Sequence, residues 1–395
     1  MSAGKTAFKM RLIYLVHDLD DAAIWRRVQM LRAGGAEVTL AGFQRSARPL
    51  PEPALVLGHT ANGKMAQRAL SVLKALPGLD KQFPTLQETD VIIARNLEML
   101  ALGAYLKRRA PAARLVYELL DVHRLLSGNG PASKAIRAIE AAALKSASGL
   151  LYSSEGFKRG HPQPFEKLAP HLCLIENKPL ALDPAQLSTR TRPLEGPLQI
   201  GWNGILRCRW SLDTLDELTR NAPGHFRIKL RGRPALDQLP DFHERVAANP
   251  DLEFGGPYTA PDDLDEIYDA VDLAWLIDRY EAGENSDWLL PNRLYEGCLH
   301  GAVPVVLSGT EVARRTETLG IGVQVAEPSS ASVAQAFTDL SNADLQKLRQ
   351  AVAAKPRSTW EAGHAECRAL VSWLTDLPTL GAPRSGATHL REAQS

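Results

Sequence analysis

The feature that most constrains this chain is an alternation of apolar runs and amphipathic stretches that stops at a polar segment and then starts again. Residues 11–17, RLIYLVH, form a continuous apolar run, the pattern of a strand buried on both faces. Residues 22–33, AAIWRRVQMLRA, have the spacing of an amphipathic helix. Gly34-Gly35 ends it, and Glu37 to Ala41 begins a second strand. Strand–helix–strand is the unit of a parallel sheet. The pattern goes on with a strand at 90–94, a helix over 97–109, a strand at 114–118, a helix over about 132–147 and a strand at 149–154.

Residues 181–197, ALDPAQLSTRTRPLEGP, are polar and marked by proline, which is linker composition. Alternation then resumes. Strands are expected at 198–204 (LQIGWNG, running into a glycine turn), 226–232 (FRIKLRG), 252–256, 272–278, 303–308 and 322–327, with helices over 211–220, 261–270 and about 291–300. A helix over about 358–375 is expected to pack back on the body through Trp360 and Trp373, and the Gly-, Pro- and Ser-rich tail over 378–395 to be disordered. The class is α/β, with an N-terminal domain over 10–180, a linker over 181–197 and a second domain over 198–357. Two doubly wound domains facing each other leave a cleft at the carboxyl ends of their strands, where such folds bind ligands.

Length and charge narrow the partners. A chain of 395 residues suits two cores. It contains no run of 18 apolar residues, and Met1 to Lys9 lacks the apolar core of a signal peptide, so a cytoplasmic location is expected. Cys173, Cys208, Cys298 and Cys367 are scattered without CxxC spacing, against a disulfide framework or zinc knuckle. The net charge of +1 hides an asymmetry. Residues 1–190 hold 26 Lys+Arg against 16 Asp+Glu, net +10, and residues 191–395 hold 20 against 29, net −9. A basic half points to an anionic surface. Residues 61–76, a helical stretch with Lys64, Arg68 and Lys74 among apolar residues, could lie on anionic lipid or simply be a solvated face over a core stripe. Nucleic acid is not expected as a partner.

The segment Pro291 to Val306, PNRLYEGCLHGAVPVV, carries the most chemistry. Pro291 suits the first turn of a helix, and Asn292 and Glu296 share a face one turn apart. Free N–H groups at the helix start favour phosphate, and a carboxylate one turn in can accept hydrogen bonds from a ribose diol. No GxxxxGK[ST] loop, GxGxxG or GxSxG is present. Asp18-Leu19-Asp20 is a DxD triplet, a metal-binding pattern in other folds, but it follows the first strand directly.

PNRLYEGCLHGAVPVV resembles the donor-site helix of group 1 (family 4-like) glycosyltransferases of the GT-B fold, whose pattern runs roughly P-x-K/R-x-x-E-x-x-x-x-G-x-P-V-V. GWNGIL, IKLRGRP, FGGPYTAPDDLDEIYDAVDLAWL and LCLIENKPL resemble further stretches of that family in the same order. The opening, RLIYLVHDLDDAA with RAGGAEVTLAGF, is similar to bacterial exopolysaccharide (succinoglycan-type) members. The resemblance implies two Rossmann-like domains and transfer of a hexose from a nucleotide diphosphate sugar to a hydroxyl of a glycan, here a lipid-linked one at the inner membrane surface. It implies that Glu296 binds the donor ribose, with Asn292, Arg293 and Gly204 around it and Arg207, Arg209 and Arg231 as candidates for the diphosphate. Arginines in the metal's role mean that no cofactor is expected. Asp121 and His123, on the loop after the strand RLVYE, match positions that face the sugar. Two departures stand out. Ile205 follows Gly204 where the family often has arginine, and Trp288 stands where a second glutamate is usual. A sugar-nucleotide epimerase and a non-catalytic binding protein of the same fold are the alternatives.

Overall fold

A computed structural model describes residues 9–60, 65–122, 126, 128, 130–183, 194 and 196–378. The chain forms two compact units. One runs up to Glu176 and takes the chain back from Ala362, and the other comprises Asn177–Glu361.

In the first unit seven strands, β1 (Arg11–Val16), β2 (Glu37–Gln44), β3 (Leu55–His59), β4 (Val91–Arg95), β5 (Arg114–Leu119), β6 (Ala147–Tyr152) and β7 (Leu172–Leu174), form one parallel sheet in the order β3-β2-β1-β4-β5-β6-β7. The helices are α1 (Ala22–Ala33), α2 (Met65–Ala75), α3 (Asn96–Arg109), α4 (Pro131–Leu144), α5 (Glu155–Gly160) and α6 (Phe165–Leu168). The apolar runs read in the sequence are these strands: Leu12 to Val16 and Val91 to Ala94 are buried. Order reverses between β1 and β4, the switch point of a doubly wound sheet.

A charged cluster lies inside this core. Glu118 of β5 is fully buried and accepts from Arg27 Nε of α1 at 2.8 Å, with the Tyr14 hydroxyl donating to its other oxygen and Arg95 alongside. Burial alone would raise the Glu118 pKa, but Arg27 and Arg95 outweigh it and hold the carboxyl below its ordinary range.

The second unit holds β8 (Leu198–Leu206), β9 (Phe226–Pro234), β10 (Leu252–Phe254), β11 (Leu273–Trp275), β12 (Val303–Leu307) and β13 (Val323–Val325), parallel in the order β10-β9-β8-β11-β12-β13. Its helices are α7 (Arg209–Asn221), α8 (Phe242–Ala248), α9 (Leu264–Asp269), α10 (Asn285–Trp288), α11 (Asn292–Leu299), α12 (Glu311–Leu319), α13 (Ser330–Thr338) and α14 (Asn342–Ala353). Its core includes Trp202, Leu230, Phe242, Trp275, Tyr295 and Trp360.

Three expectations are corrected. The chain crosses between units at Glu176–Asn177, ahead of the polar stretch, of which 184–193 and 195 lie outside the described residues. β8 does not turn at Gly204. It continues to Leu206, because Gly204 pairs with Gly232 and both adopt positive φ (107° and 133°), so the two strands extend together as a ribbon. The C-terminal helix α15 (His364–Asp376) rejoins the first unit through Trp373, which lies over Gly149, whereas Trp360 stays in the core of the second. Of the tail over 378–395, Pro378 is described and the rest lies outside the described residues.

Candidate functional site

The carboxyl ends of β8 and β11, where the second sheet reverses order, carry the richest polar cluster. The helix α11 starts there. Pro291, with φ −71° and ψ 147°, is its N-cap rather than its first helical residue, and offers no side-chain acceptor to the first turn. Within that turn the Leu294 N–H closes on the Pro291 carbonyl at 2.9 Å, and at the helix start the dipole favours an anion. Gly297 brings the helix close to the sheet. A Cβ there would stand 3.1 Å from Ala274 Cβ and 3.2 Å from Tyr268 Cε1.

Glu296, one turn in, is 6% exposed. The Tyr268 hydroxyl donates to its Oε2 at 3.5 Å, and the Tyr268 ring stacks on His300 with centroids 5.5 Å apart. His300 in turn bridges the Glu296 carbonyl (2.7 Å) and the Asp265 carboxylate (2.8 Å). Burial, and next the Glu296 charge, push the Tyr268 phenol well above its usual value. The Tyr258 phenol is pushed up to about 12 by burial and then by Glu296, against the opposing pull of Arg293 and Arg231. Both tyrosines are thus neutral donors at physiological pH.

Arg293 spans the switch point. Its Nη1 donates to the Asn203 carbonyl (3.2 Å) and its Nη2 to that of Leu276 (3.4 Å), while its Nε has no hydrogen-bond partner among the described residues. Asn203 is 2% exposed, hydrogen-bonds Tyr268 through its side chain, and leaves its own Oδ1 without a partner among the described residues. An unpartnered buried acceptor beside a guanidinium is the kind of unsatisfied polarity that a ligand relieves. Gly204 keeps the space above β8 open, the nearest atom to a Cβ there being Arg293 Nη1 at 4.0 Å. Arg231, paired in register with Asn203, folds over Gly255, with Nη1 3.9 Å from Glu266 Oε1.

The structure thus brings Glu296, Asn292, Arg293, Gly204 and Arg231 into one neighbourhood and parts the other two arginines. Arg207 lies 3.5 Å from Asp278 Oδ2 and over the Tyr280 ring at 4.5 Å. Arg209 begins α7 and turns to Asp241 (2.6 Å), Asp213 (3.8 Å) and the Gln238 carbonyl (3.2 Å). It shares Asp241 with Arg245, and hydrogen bonds from the two guanidinia hold the Asp241 carboxyl below its usual range. Asn292 accepts from Asn177 Nδ2 at 3.0 Å. Asp121 is exposed just beyond β5, and His123 lies outside the described residues. In the loop before α11, Glu281 Oε2 accepts from Asn285 Nδ2 at 3.0 Å.

The DxD pair serves the first unit's own architecture. Asp18 pairs with Arg45 at 3.2 Å, and Asp20 accepts from the backbone of Arg45 and Ser46 and from the Ser46 hydroxyl. Among the described residues, no group of three or more His, Cys, Asp or Glu is placed to hold a metal. None of the described helices is long and apolar enough to cross a membrane, and α2 exposes Leu70, Leu73 and Lys74. Of Lys64 and the Arg68 side chain, both cited for that helix, neither is among the described groups. Sequence reasoning missed Asn203, Tyr258 and Tyr268 as site residues. The adjacency of Asn203 to Gly204, and the two tyrosines of PYTAPDDLDEIYD, were the available signals.

Solved structures share this architecture. HepE of Anabaena, solved with UDP and glucose, matches with a TM-score of 0.64 at 15% identity, over 93% of this chain and 99% of that one. Sucrose-phosphate synthase of Thermosynechococcus elongatus matches with 0.63 at 13% identity, over 93% and 95%. WaaG, a glycosyltransferase involved in lipopolysaccharide biosynthesis, matches with 0.56 at 15% identity, over 94% and 100%. The fold is the GT-B fold of glycosyltransferases. No family model matches the chain. The chain is, however, 40% identical over 392 residues, 95% of its length and 96% of its relative's, to the succinoglycan biosynthesis protein ExoL of Rhizobium meliloti (strain 1021). It belongs to the ExoL family.

Proposed function

We propose that this protein is a glycosyltransferase that moves a sugar from a nucleoside diphosphate sugar to a hydroxyl of a growing surface polysaccharide. The observation that carries the reading is the buried Glu296, hydrogen-bonded by the neutral Tyr268 and one turn inside a helix whose first turn carries Arg293 and has no side-chain cap. A carboxylate there accepts from a ribose diol, while the helix start and the guanidinium receive the diphosphate. As the glycosidic bond breaks, negative charge grows on the leaving diphosphate, and fixed cations and dipoles stabilise it most at that moment. Arg293 supplies such a cation, and Arg207, held by Asp278 and Tyr280, is a second. With guanidinia in this role, transfer proceeds in the presence of EDTA.

Relatives support the class of donor and product. HepE was solved with UDP and with UDP-glucose, and ExoL is a succinoglycan biosynthesis protein. A UDP-sugar is therefore the first donor to try. The acceptor is a lipid-linked glycan at the cytoplasmic face of an anionic membrane, which suits the charge division. The first unit holds 27 Lys+Arg and 18 Asp+Glu, a difference of +9, and the second 19 and 27, a difference of −8. Asp121 and His123 are the residues assigned to the acceptor hydroxyl.

The test is thermal shift against a panel of nucleotide sugars, repeated with Glu296→Ala. A donor present at 100 times its Kd stabilises the protein by about 2.7 kcal/mol. The expected outcome is stabilisation by one donor class, lost in the variant. A panel without effect, or a variant that keeps both binding and transfer, overturns the reading. Sedimentation with phosphatidylglycerol vesicles, reduced at high salt, checks the membrane step.

A further inference from the structure

We propose that Asn177 is a positioning residue of the donor site, and that through it occupancy of that site is transmitted to both places where the chain crosses between its units. The proposal rests on the nucleotide-sugar reading given above.

The chain crosses at Glu176–Asn177 and again at Glu361–Ala362. Asn177 is the first residue of the second unit, and its Nδ2 donates to Oδ1 of Asn292 at 3.0 Å. Asn292 is the first residue of α11, next to the uncapped turn. Because its oxygen is engaged by Asn177, the Asn292 amide is oriented with its NH2 group as the end left for a ligand, which is the polarity that an anionic diphosphate requires.

The next residue ties the two crossings together. Lys178 is 5% exposed, and its Nζ donates to the Ser358 carbonyl at 2.9 Å. A buried ammonium is costly without its acceptors, so this contact holds residues 177–178 and 358 in a fixed relation. Adjacent to Ser358, Arg357 pairs with Glu361, which is 7% exposed and ends the second unit. One continuous set of contacts therefore runs from the start of α11 through Asn177 and Lys178 to Ser358, Arg357 and Glu361. A ligand that orders Asn292 orders the crossings, and by linkage whatever orders the crossings tightens the ligand.

The experiment is hydrogen exchange on the full chain, with and without UDP, GDP and ADP, alongside calorimetric titration of each nucleotide. The expected result is that the nucleotide that binds slows exchange at α11 and also at amides within 176–180 and 357–361. Asn177→Ala binds that nucleotide about fivefold more weakly, the factor for one neutral hydrogen bond, and loses the protection at 357–361 while keeping it at α11. Asn177→Gln, which can still donate, restores part of both. Asn177→Asp keeps the size and removes the donor, and should behave as the alanine variant even if that one fails to fold. Wild-type protection confined to α11, or an Asn177→Asp variant with unchanged affinity and unchanged protection at 357–361, overturns the inference and leaves the donor site standing. If none of the three nucleotides binds the wild type, the donor reading itself fails and the inference falls with it.

Discussion

At the scale of single residues, two buried glutamates show how differently one side chain is used. Glu118 is fixed by its own fold, with Arg27, Arg95 and Tyr14 around it. Its folded pKa lies below the ordinary 4.5, so the stability it contributes is complete above that value and is lost as pH falls through the lower, folded one. Glu118→Gln leaves two guanidinia without their carboxylate, and should cost about 3–5 kcal/mol at pH 7. Urea denaturation at pH 7 and below pH 4 is the check. The gap between wild type and variant should shrink in acid, and a gap that stays constant would refute the assignment. Glu296, by contrast, keeps company with two phenols and a stacked histidine and stands beside a helix start. Its place one turn inside α11 was legible from the sequence because helix spacing and Pro291 fix it locally. Tyr258, Tyr268 and Asn203 were not, because their approach depends on how β8, β10 and α9 are stacked. Arg207 and Arg209, two residues apart, look equivalent in sequence and part company in space. One reaches Asp278 and the other is drawn to Asp241, which lies more than thirty positions from either in the chain.

At the scale of elements, the strands were legible because parallel strands buried on both faces must be apolar throughout. The end of β8 was not. A glycine after a strand normally reads as a turn, and only the pairing with a second glycine, on β9, lets this strand continue. That pairing can be probed. At Gly232 a Cβ would stand 1.8 Å from the Gly204 carbonyl oxygen, whereas at Gly204 it would have open space. Both positions have positive φ, so each alanine pays a backbone strain of about 1 kcal/mol. Gly232→Ala must in addition push β8 and β9 apart, and should cost more than about 2 kcal/mol and weaken nucleotide binding. Equal losses of stability for Gly204→Ala and Gly232→Ala would show that the close approach does not matter.

At the scale of the whole molecule, the sequence announced two α/β units and their opposite charges, but misplaced how the chain distributes itself between them. A helix at the far end of a chain has no local signal for which core it joins. Here α15 returns to the first unit. Its Trp373 covers Gly149, and a Cβ at Gly34 would come within 2.3 Å of the Cys367 carbonyl oxygen, so both glycines admit the helix. Trp360, only a few residues earlier, fills the second core instead. The two tryptophans therefore report on different units. Each is nearly buried, and truncation of either to alanine should cost about 3–5 kcal/mol. In scanning calorimetry, Trp373→Ala should lower the transition of the first unit and Trp360→Ala that of the second. A bound nucleotide should raise only the transition that Trp360→Ala lowers, because Glu296, Arg293 and the tyrosines all belong to that unit. A nucleotide that instead raised the transition sensitive to Trp373 would place the donor site in the wrong half of the molecule.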